Sequence, residues 1–445
     1  MKQTAGIIAE YNPFHCGHQY QIEETRRRTG ADYIVVVLSG NFVQRGEPAI
    51  FEKSQRTRMA LLGGADLVLE LPAPFAVGSA EDFASGAVSL LNQLGTVRYL
   101  SFGSECGQLS DLSQIAHILS NEPPLFQNIL KEQLRSGLTY PQARSAALAA
   151  CGVSQKVLQA GNEPNNLLGI EYLKAMGRQK SSLEPVTILR KGKGYHDCQI
   201  PELAEQGYGP ASAPVFASAS GIRKELLADG TYDNPDKREA CPAVSKLLSI
   251  DLAVHHLEEQ IPSAIHPLYH SGQLLPIHPD DLSMILNYRI LSCIQDGLSF
   301  QDFSDISPEL AGRLTEQAYS MDSFSNRIAA LKTRQYTYTR ISRSLLHILL
   351  GIRQEDMASY RQNGCCFYAR ILGFRRSAAP LLRSIKEHSA IPLVSKAADA
   401  HRLLSGNAWK LWNQDVYCSH VYHTLVQAKY GILLPNEYSR PIVII

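Results

Sequence analysis

At 445 residues the chain is long enough for two or three domains with separate hydrophobic cores. Its 43 Lys and Arg against 42 Asp and Glu leave a net charge of +1, which excludes a bulk polycation and confines any nucleic-acid contact to a local patch. The nine cysteines contain no Cys-x-x-Cys pair and one adjacent pair, Cys365-Cys366, which argues against a zinc ribbon or a disulfide framework and for a reducing compartment. The apolar run at residues 6–9 is too short for a signal peptide, and residues 345–350 are too few to span a bilayer, so a soluble, cytoplasmic protein is expected.

In chain order, short runs rich in β-branched and aromatic residues predict strands at Thr4–Ala9 and at residues 33–38, 67–70, 99–102 and 185–189. Helical stretches separate them. Ser79 caps one, with Asp82 three positions on, and Phe83, Ala87, Leu90, Leu91 and Leu94 then share one face. This alternation predicts an α/β fold with a doubly wound parallel sheet over residues 1–233. The run Asp233-Asn234-Pro235-Asp236 reads as a linker within 231–237. Helical periodicity at 243–256, 282–296, 324–332 and 341–352 then makes residues 234–445 a mainly α-helical domain, interrupted by an α/β-like stretch at 367–391.

The chemistry concentrates where strands end. After the first strand come the turn Glu10-Tyr11-Asn12-Pro13-Phe14 and the tetrapeptide His15-Cys16-Gly17-His18, with a helix expected to open near Gly17. Two imidazoles and helix N-terminal amides would meet there, at the carboxyl edge of a parallel sheet, where phosphates bind. A His-x-x-His pair also occurs in metal sites, but no third ligand accompanies this one, so no metal site is expected. The loop 39–48 follows the second strand and reads equally well as an ordinary Gly/Pro connection. Gly103, at the end of the fourth strand, allows close backbone approach to a ligand, though a turn glycine is the commoner use. Asn165 and Asn166 open a helix; one suffices as an N-cap, which leaves Asn165 as the preferred ligand contact. Arg190 ends the fifth strand ahead of the loop 192–197 and is placed to clamp an anion. Finally, Ser218, Ser220 and Arg223 open another helix with hydroxyls, amides and a guanidinium suited to a phosphate.

The first half resembles the nucleotidylyltransferase superfamily, with its H-x-G-H signature after the first strand and a late Ser-Ser-Thr-x-Ile-Arg-like signature. Residues 9–18, 40–48, 164–173, 194–197 and 440–443 together are similar to the bacterial tRNA(Met) cytidine acetate ligase family, end to end. The resemblance implies a ligase that uses ATP and acetate, without acetyl-CoA, to make N4-acetylcytidine at the wobble position of elongator tRNA(Met). Acetate attacks the α-phosphate to give acetyl-adenylate and pyrophosphate, and the cytidine amino group then takes the acetyl group and releases AMP. Carried over by position, the ATP site comprises Ile8, Ala9, Glu10, Tyr11, Asn12, Pro13, Phe14, His15, Cys16, Gly17, His18, Gln19, Tyr20 and Gln21, with Gly103, Asn165, Arg190 and Lys191; Ser220 and Arg223 join it from the reading of the helix start. The family's usual Asn is Cys16 here, which leaves any contact of that Asn open.

His15 and His18 fit the catalytic role, since adenylylation needs positioning and donors for developing phosphoryl charge rather than a protein nucleophile. ATP arrives with magnesium that keeps waters and leans on the phosphates, so no ligand cluster need be visible. Between residues 327 and 386 lie twelve Lys or Arg and two acidic residues, with Tyr336, Tyr338, Tyr360, Phe367 and Tyr368 interleaved. Arg340, Arg343, Arg353, Arg361, Arg370, Arg375 and Arg376 are therefore the candidate tRNA phosphate contacts; the bland reading puts arginines on solvated helix faces and tyrosines in a core. Two alternatives stand beside the ligase: a small-molecule adenylyltransferase, and a nucleotide-dependent RNA-binding protein without turnover.

Overall fold

The computed structural model describes residues 2–191, 216–227, 257–333 and 335–445. The linker expected at 231–237, the 233/234 boundary, the helix expected at 243–256 and the loop 192–197 lie outside the described residues.

Five parallel strands form the main part of one sheet: β1 (Thr4–Ala9), β2 (Tyr33–Ser39), β5 (Leu67–Leu71), β6 (Tyr99–Ser104) and β7 (Glu184–Leu189), in the order β5-β2-β1-β6-β7. Both faces of β2 are buried, as a parallel strand flanked by helices requires. Ile34, Val36 and Leu38 face one core with the helices Cys16–Thr29 and Lys53–Leu62, while Val35 and Val37 face another with Phe83, Ala87 and Leu91 of the helix Ala80–Gln93. The sequence-predicted strands match these five to within two residues at either end. Ser79 caps its helix as expected, its hydroxyl accepting the Asp82 N–H at 3.1 Å. Between β2 and β5, the hairpin of β3 (Phe42–Val43) and β4 (Glu47–Pro48) projects from the sheet edge.

The second half is mainly helical, including helices at Ser283–Gln295, Phe324–Leu331 and Tyr338–Leu350 close to the predicted ranges, and the 25-residue Gly406–Tyr430. It also completes the sheet. β8 (Ala369–Phe374) pairs antiparallel with β5, and the short β9 (Leu393–Val394) and β10 (Val443–Ile444) pair with β8. The α/β-like stretch expected at 367–391 is this extension, so residues from both halves share one sheet.

A buried ionic network sits where they join. Lys53 Nζ donates to Glu70 at 2.9 Å, Glu437 at 2.9 Å and Ser419 Oγ at 2.8 Å, and Arg370 pairs with Glu70 and Glu437. Glu52, His423 and Glu437 bring ligand atoms within 4.8 Å of one another, the one such group among the described residues. Arg440, Lys53 and Arg370 already compensate its two carboxylates. None of the seven described cysteines is paired, and no described helix is long and apolar enough to cross a membrane.

Candidate active site

A cavity opens at the carboxyl edge where β1 separates β2 from β6, the position at which the strand order reverses and ligands bind in open α/β sheets. His15 is the N-cap of the helix Cys16–Thr29. Its Nδ1 accepts the Gly17 backbone N–H at 3.0 Å, and His18 Nδ1 accepts the His15 backbone N–H at 3.3 Å. Because both Nδ1 lone pairs are used, each neutral ring carries its proton on Nε2, and two N–H donors are left for a ligand. The rings stack with centroids 3.8 Å apart. Burial, reinforced by Arg190 and Arg223, pushes the His15 pKa down to about 3; burial, then His15 and Arg190, holds His18 well below the usual histidine range. Both are therefore neutral at pH 7. Glycine is required at 17, since a Cβ there would lie 2.8 Å from His15 Cε1. The expectation of imidazoles and helix amides acting together is modified in one respect: the Gly17 amide caps the helix through His15.

Two other strand ends and two helix starts converge on the same space. Gly103 lies beneath Arg190, whose Cγ would be 3.3 Å from an added Cβ. Arg190 donates to Asn165 Oδ1 at 3.2 Å, and Glu105 fixes Asn165 by accepting from its backbone N–H and its Nδ2. Asn166 is the structural partner: its Oδ1 accepts the Glu105 N–H at 2.9 Å and its Nδ2 donates to the Ala160 carbonyl. From the far side, Ser218 caps the helix Ala219–Leu226 by accepting the Gly221 N–H, and Arg223 donates to the Asn12 carbonyl at 2.7 Å and to Ser220 Oγ at 3.2 Å.

The HIGH Nucleotidyl Transferase family model matches residues 1–432. The tRNA(Met) cytidine acetate ligase of Acetivibrio thermocellus is 39% identical over 398 residues, 89% of each chain, and that of Halothermothrix orenii is 34% identical over 444 residues, 98% of this chain and 96% of its own. This chain belongs to the tRNA(Met) cytidine acetate ligase family. The crystal structure of Thermotoga maritima TmcAL without ligand superimposes with a TM-score of 0.84 at 25% identity, covering 100% of this chain and 99% of that one. A second structure of that ligase, bound with α-thio ATP, gives a TM-score of 0.81 at 25% identity, covering 99% of each.

Of the expected ATP-site residues, Ile8, Ala9, Glu10, Tyr11, Asn12, His15, His18, Gln21, Gly103, Asn165, Arg190, Ser220 and Arg223 line the main cavity. Gly17, Tyr20 and Lys191 line an adjoining one, where the Lys191 ammonium sits 4.7 Å from the centre of the Tyr20 ring. Pro13, Phe14, Cys16 and Gln19 line neither. Phe14 is fully buried against Gly63, and Cys16 Sγ turns to the Glu259 carbonyl at 3.6 Å, away from the cavity.

The arginine patch is corrected more heavily. Arg370 is buried between Glu70 and Glu437 and cannot reach a phosphate. Arg375 spends its guanidinium on the carbonyls of Leu61 and Ala65, and Arg343 pairs with Asp305 at 3.1 Å. Arg353 lies over Phe303 and 3.7 Å from Asp302, and Arg361 makes a two-pronged pair with Asp82 at 2.6 and 2.9 Å while staying partly exposed. Arg376 is exposed, and Arg340 stacks on Tyr336 with its side chain half-buried. Tyr336, Tyr360 and Tyr368 belong to the core.

Several lining residues had no local signal in the sequence. Phe83, Phe102, Leu168 and Tyr172 form an apolar wall. Gln44 and Arg45, by contrast, belong to the loop 39–48 that the sequence left open between a substrate loop and an ordinary connection, and they reach in from the β3–β4 hairpin. Beneath them Arg56, fully buried, donates to the carbonyls of Phe51, Glu10, Ser39 and Gly40, tying the ends of β1 and β2 together. An arginine early in a helix predicts nothing of this kind.

Proposed function

We propose that this protein activates acetate with ATP as acetyl-adenylate and transfers the acetyl group to the wobble cytidine of elongator tRNA(Met), giving N4-acetylcytidine, AMP and pyrophosphate. The observation that carries the reading is the pair of neutral imidazoles, His15 buried and His18 half-buried, that line the cavity together with Arg223 and have their Nδ1 atoms engaged, in a chain whose relatives are named for that reaction. The α-thio ATP bound by the Thermotoga maritima enzyme supports ATP as the nucleotide.

In this reading the adenosine lies toward Gly103, Asn165, Arg190 and Lys191, and the triphosphate crosses His15 and His18 toward Ser220 and Arg223. Preorganised neutral donors stabilise charge that grows on the phosphoryl oxygens without binding the ground state equally well. Magnesium fits as a companion of the phosphates. Glu10 is the one carboxylate among the described lining residues, and one of its oxygens already accepts from Gln44, so the donor set suits a hydrated ion held by the nucleotide rather than a protein cage. Acetyl-CoA has no part in the scheme. Residues 1–233 serve as the catalytic unit and 234–445 as the tRNA-holding unit, with Arg340, Arg353, Arg361 and Arg376 as the phosphate contacts.

The test is direct. The protein is incubated with ATP, labelled acetate and total tRNA from a strain lacking the modification, and the digested tRNA is examined by mass spectrometry. Acetylated cytidine that requires ATP and acetate supports the ligase; its absence while ATP still binds refutes it and returns the small-molecule adenylyltransferase or the non-catalytic RNA binder.

A further inference from the structure

β1 runs between β2 and β6, so the cavity above its end has two sides. Toward β6 and β7 stand Gly103, Asn165 and Arg190, a neutral and cationic set that suits a nucleotide. Toward β2 stand Glu10, Gln44 and Arg45. A carboxylate is a poor neighbour for a triphosphate, and yet Glu10 is held in place: its Oε1 accepts the Gln44 backbone N–H at 2.7 Å, and its own carbonyl accepts from Arg56 at 2.7 Å. The hairpin that supplies Gln44 is itself braced, because the Gly46 carbonyl accepts from Ser342 Oγ at 2.9 Å and Gly46, at φ 81°, leaves no room for a Cβ against Arg343.

The second half of the proposed reaction has a requirement that the first lacks. The cytidine amino group is conjugated with its ring and weakly nucleophilic, so its proton must leave as the new bond forms. Among the described lining side chains, the two imidazoles have both Nδ1 lone pairs engaged and their Nε2 atoms protonated. Arginine, asparagine, glutamine, serine and tyrosine side chains there do not take protons near neutral pH. One carboxylate is left.

We propose that Glu10 is the catalytic base of acetyl transfer, and that the β2 side of the cavity is where the cytidine amino group enters. This rests on the acetate-ligase reading. The N4 lone pair attacks the acetyl carbonyl carbon, the C–N bond forms, and the N4 proton passes to the free Glu10 oxygen. The C–O bond to the phosphate then breaks, AMP leaves with the electron pair, and Glu10 returns its proton to solvent.

Two rates on the full chain test this: acetate-dependent exchange of labelled pyrophosphate into ATP, and single-turnover transfer from enzyme-bound acetyl-adenylate to tRNA(Met). Glu10→Gln keeps an oxygen for the Gln44 N–H. It is expected to lower transfer about a hundredfold or more beyond any fall in exchange, the range set by loss of a general base. Glu10→Asp, which retains a carboxylate, is expected to recover transfer by about tenfold over Glu10→Gln. Equal falls in both rates would assign Glu10 to the nucleotide and overturn the proposal, as would transfer at the wild-type rate in a folded Glu10→Gln. Absence of acetate-dependent exchange and of transfer in the wild type would instead refute the ligase reading on which the proposal rests.

Discussion

Glu105 holds Asn165 at two points, accepting its backbone N–H at 3.2 Å and its side-chain Nδ2 at 2.5 Å, so that Asn165 Oδ1 turns toward Arg190 and the cavity. An amide left to itself flips; this one presents an acceptor on one side only. Glu105→Ala is expected to raise the KM for ATP about tenfold, the equivalent of roughly 1.4 kcal/mol and within the range for a charge-assisted hydrogen bond, with a smaller effect on kcat. Steady-state kinetics of acetate-dependent pyrophosphate exchange measures the split. A change confined to kcat would show that Asn165 contributes little to nucleotide binding.

The two imidazoles give stability a defined pH dependence. The folded pKa of His15 is near 3, well below the ordinary value of 6.5, so between those values the unfolded chain binds the proton and the folded one does not. Stability is therefore full above about pH 6.5 and falls as the pH drops toward 3. His15→Asn, which keeps a polar cap without the titration, is expected to flatten that part of the acid limb. Thermal melts from pH 7 to pH 4 check the slope.

Rate should respond more strongly than stability to the second histidine. His18→Ala removes one Nε2 donor from the proposed phosphate site, and pyrophosphate exchange is expected to fall about a hundredfold or more. Circular dichroism separates this from unfolding. An unchanged exchange rate in the folded variant removes His18 from the chemistry.

The parallel sheet was legible because strands buried on both faces leave continuous runs such as Tyr33–Ser39, and the start of the helix Ala80–Gln93 was legible because Ser79 caps it locally. The His15–His18 signature and Asn165 declared themselves in the same way, each next to its own strand or helix end. What stayed hidden depends on distant partners. Nothing near Arg370 in the sequence says that it will lie between Glu70 and Glu437, and a run of arginines looks alike whether they face solvent or buried carboxylates. The strand β8 was visible only as an α/β-like stretch, since its pairing with β5 spans some three hundred residues of chain and has no local signal.

Arg370 and Arg376 separate those two uses of arginine. Arg376→Glu, at an exposed position, is expected to weaken tRNA binding, and to reduce the dependence of log Kd on log salt by about 0.9 or more, while the melting temperature stays within a few degrees. Arg370→Gln is expected to do the reverse by stripping a cation from Glu70 and Glu437, with a loss of about 3–5 kcal/mol in stability and no change in salt dependence. Filter binding across a salt series, paired with urea denaturation, reads both. A salt slope that moves with Arg370 rather than Arg376 would reverse the assignment.

Asp415 offers the opposite pH signature to His15. It lies on the buried face of the helix Gly406–Tyr430, where its Oδ1 accepts the Ala73 N–H at 2.6 Å and its other oxygen meets the Tyr368 hydroxyl. Burial, with the charge of Glu70 adding to it, pushes its pKa up to about 7 from an ordinary 3.8. Between those values the folded state binds the proton and the unfolded state does not, so this group favours folding at the acidic end of the window and the benefit is lost as the pH rises through about 7. Asp415→Asn keeps an oxygen for Ala73 and removes the titration. Its stability relative to the wild type is expected to increase from pH 5 to pH 8, and urea midpoints at the two values test it. A relative stability that stays flat over that range would mean that the native Asp415 is already ionised at pH 5 and that its hydrogen bonds outweigh its burial.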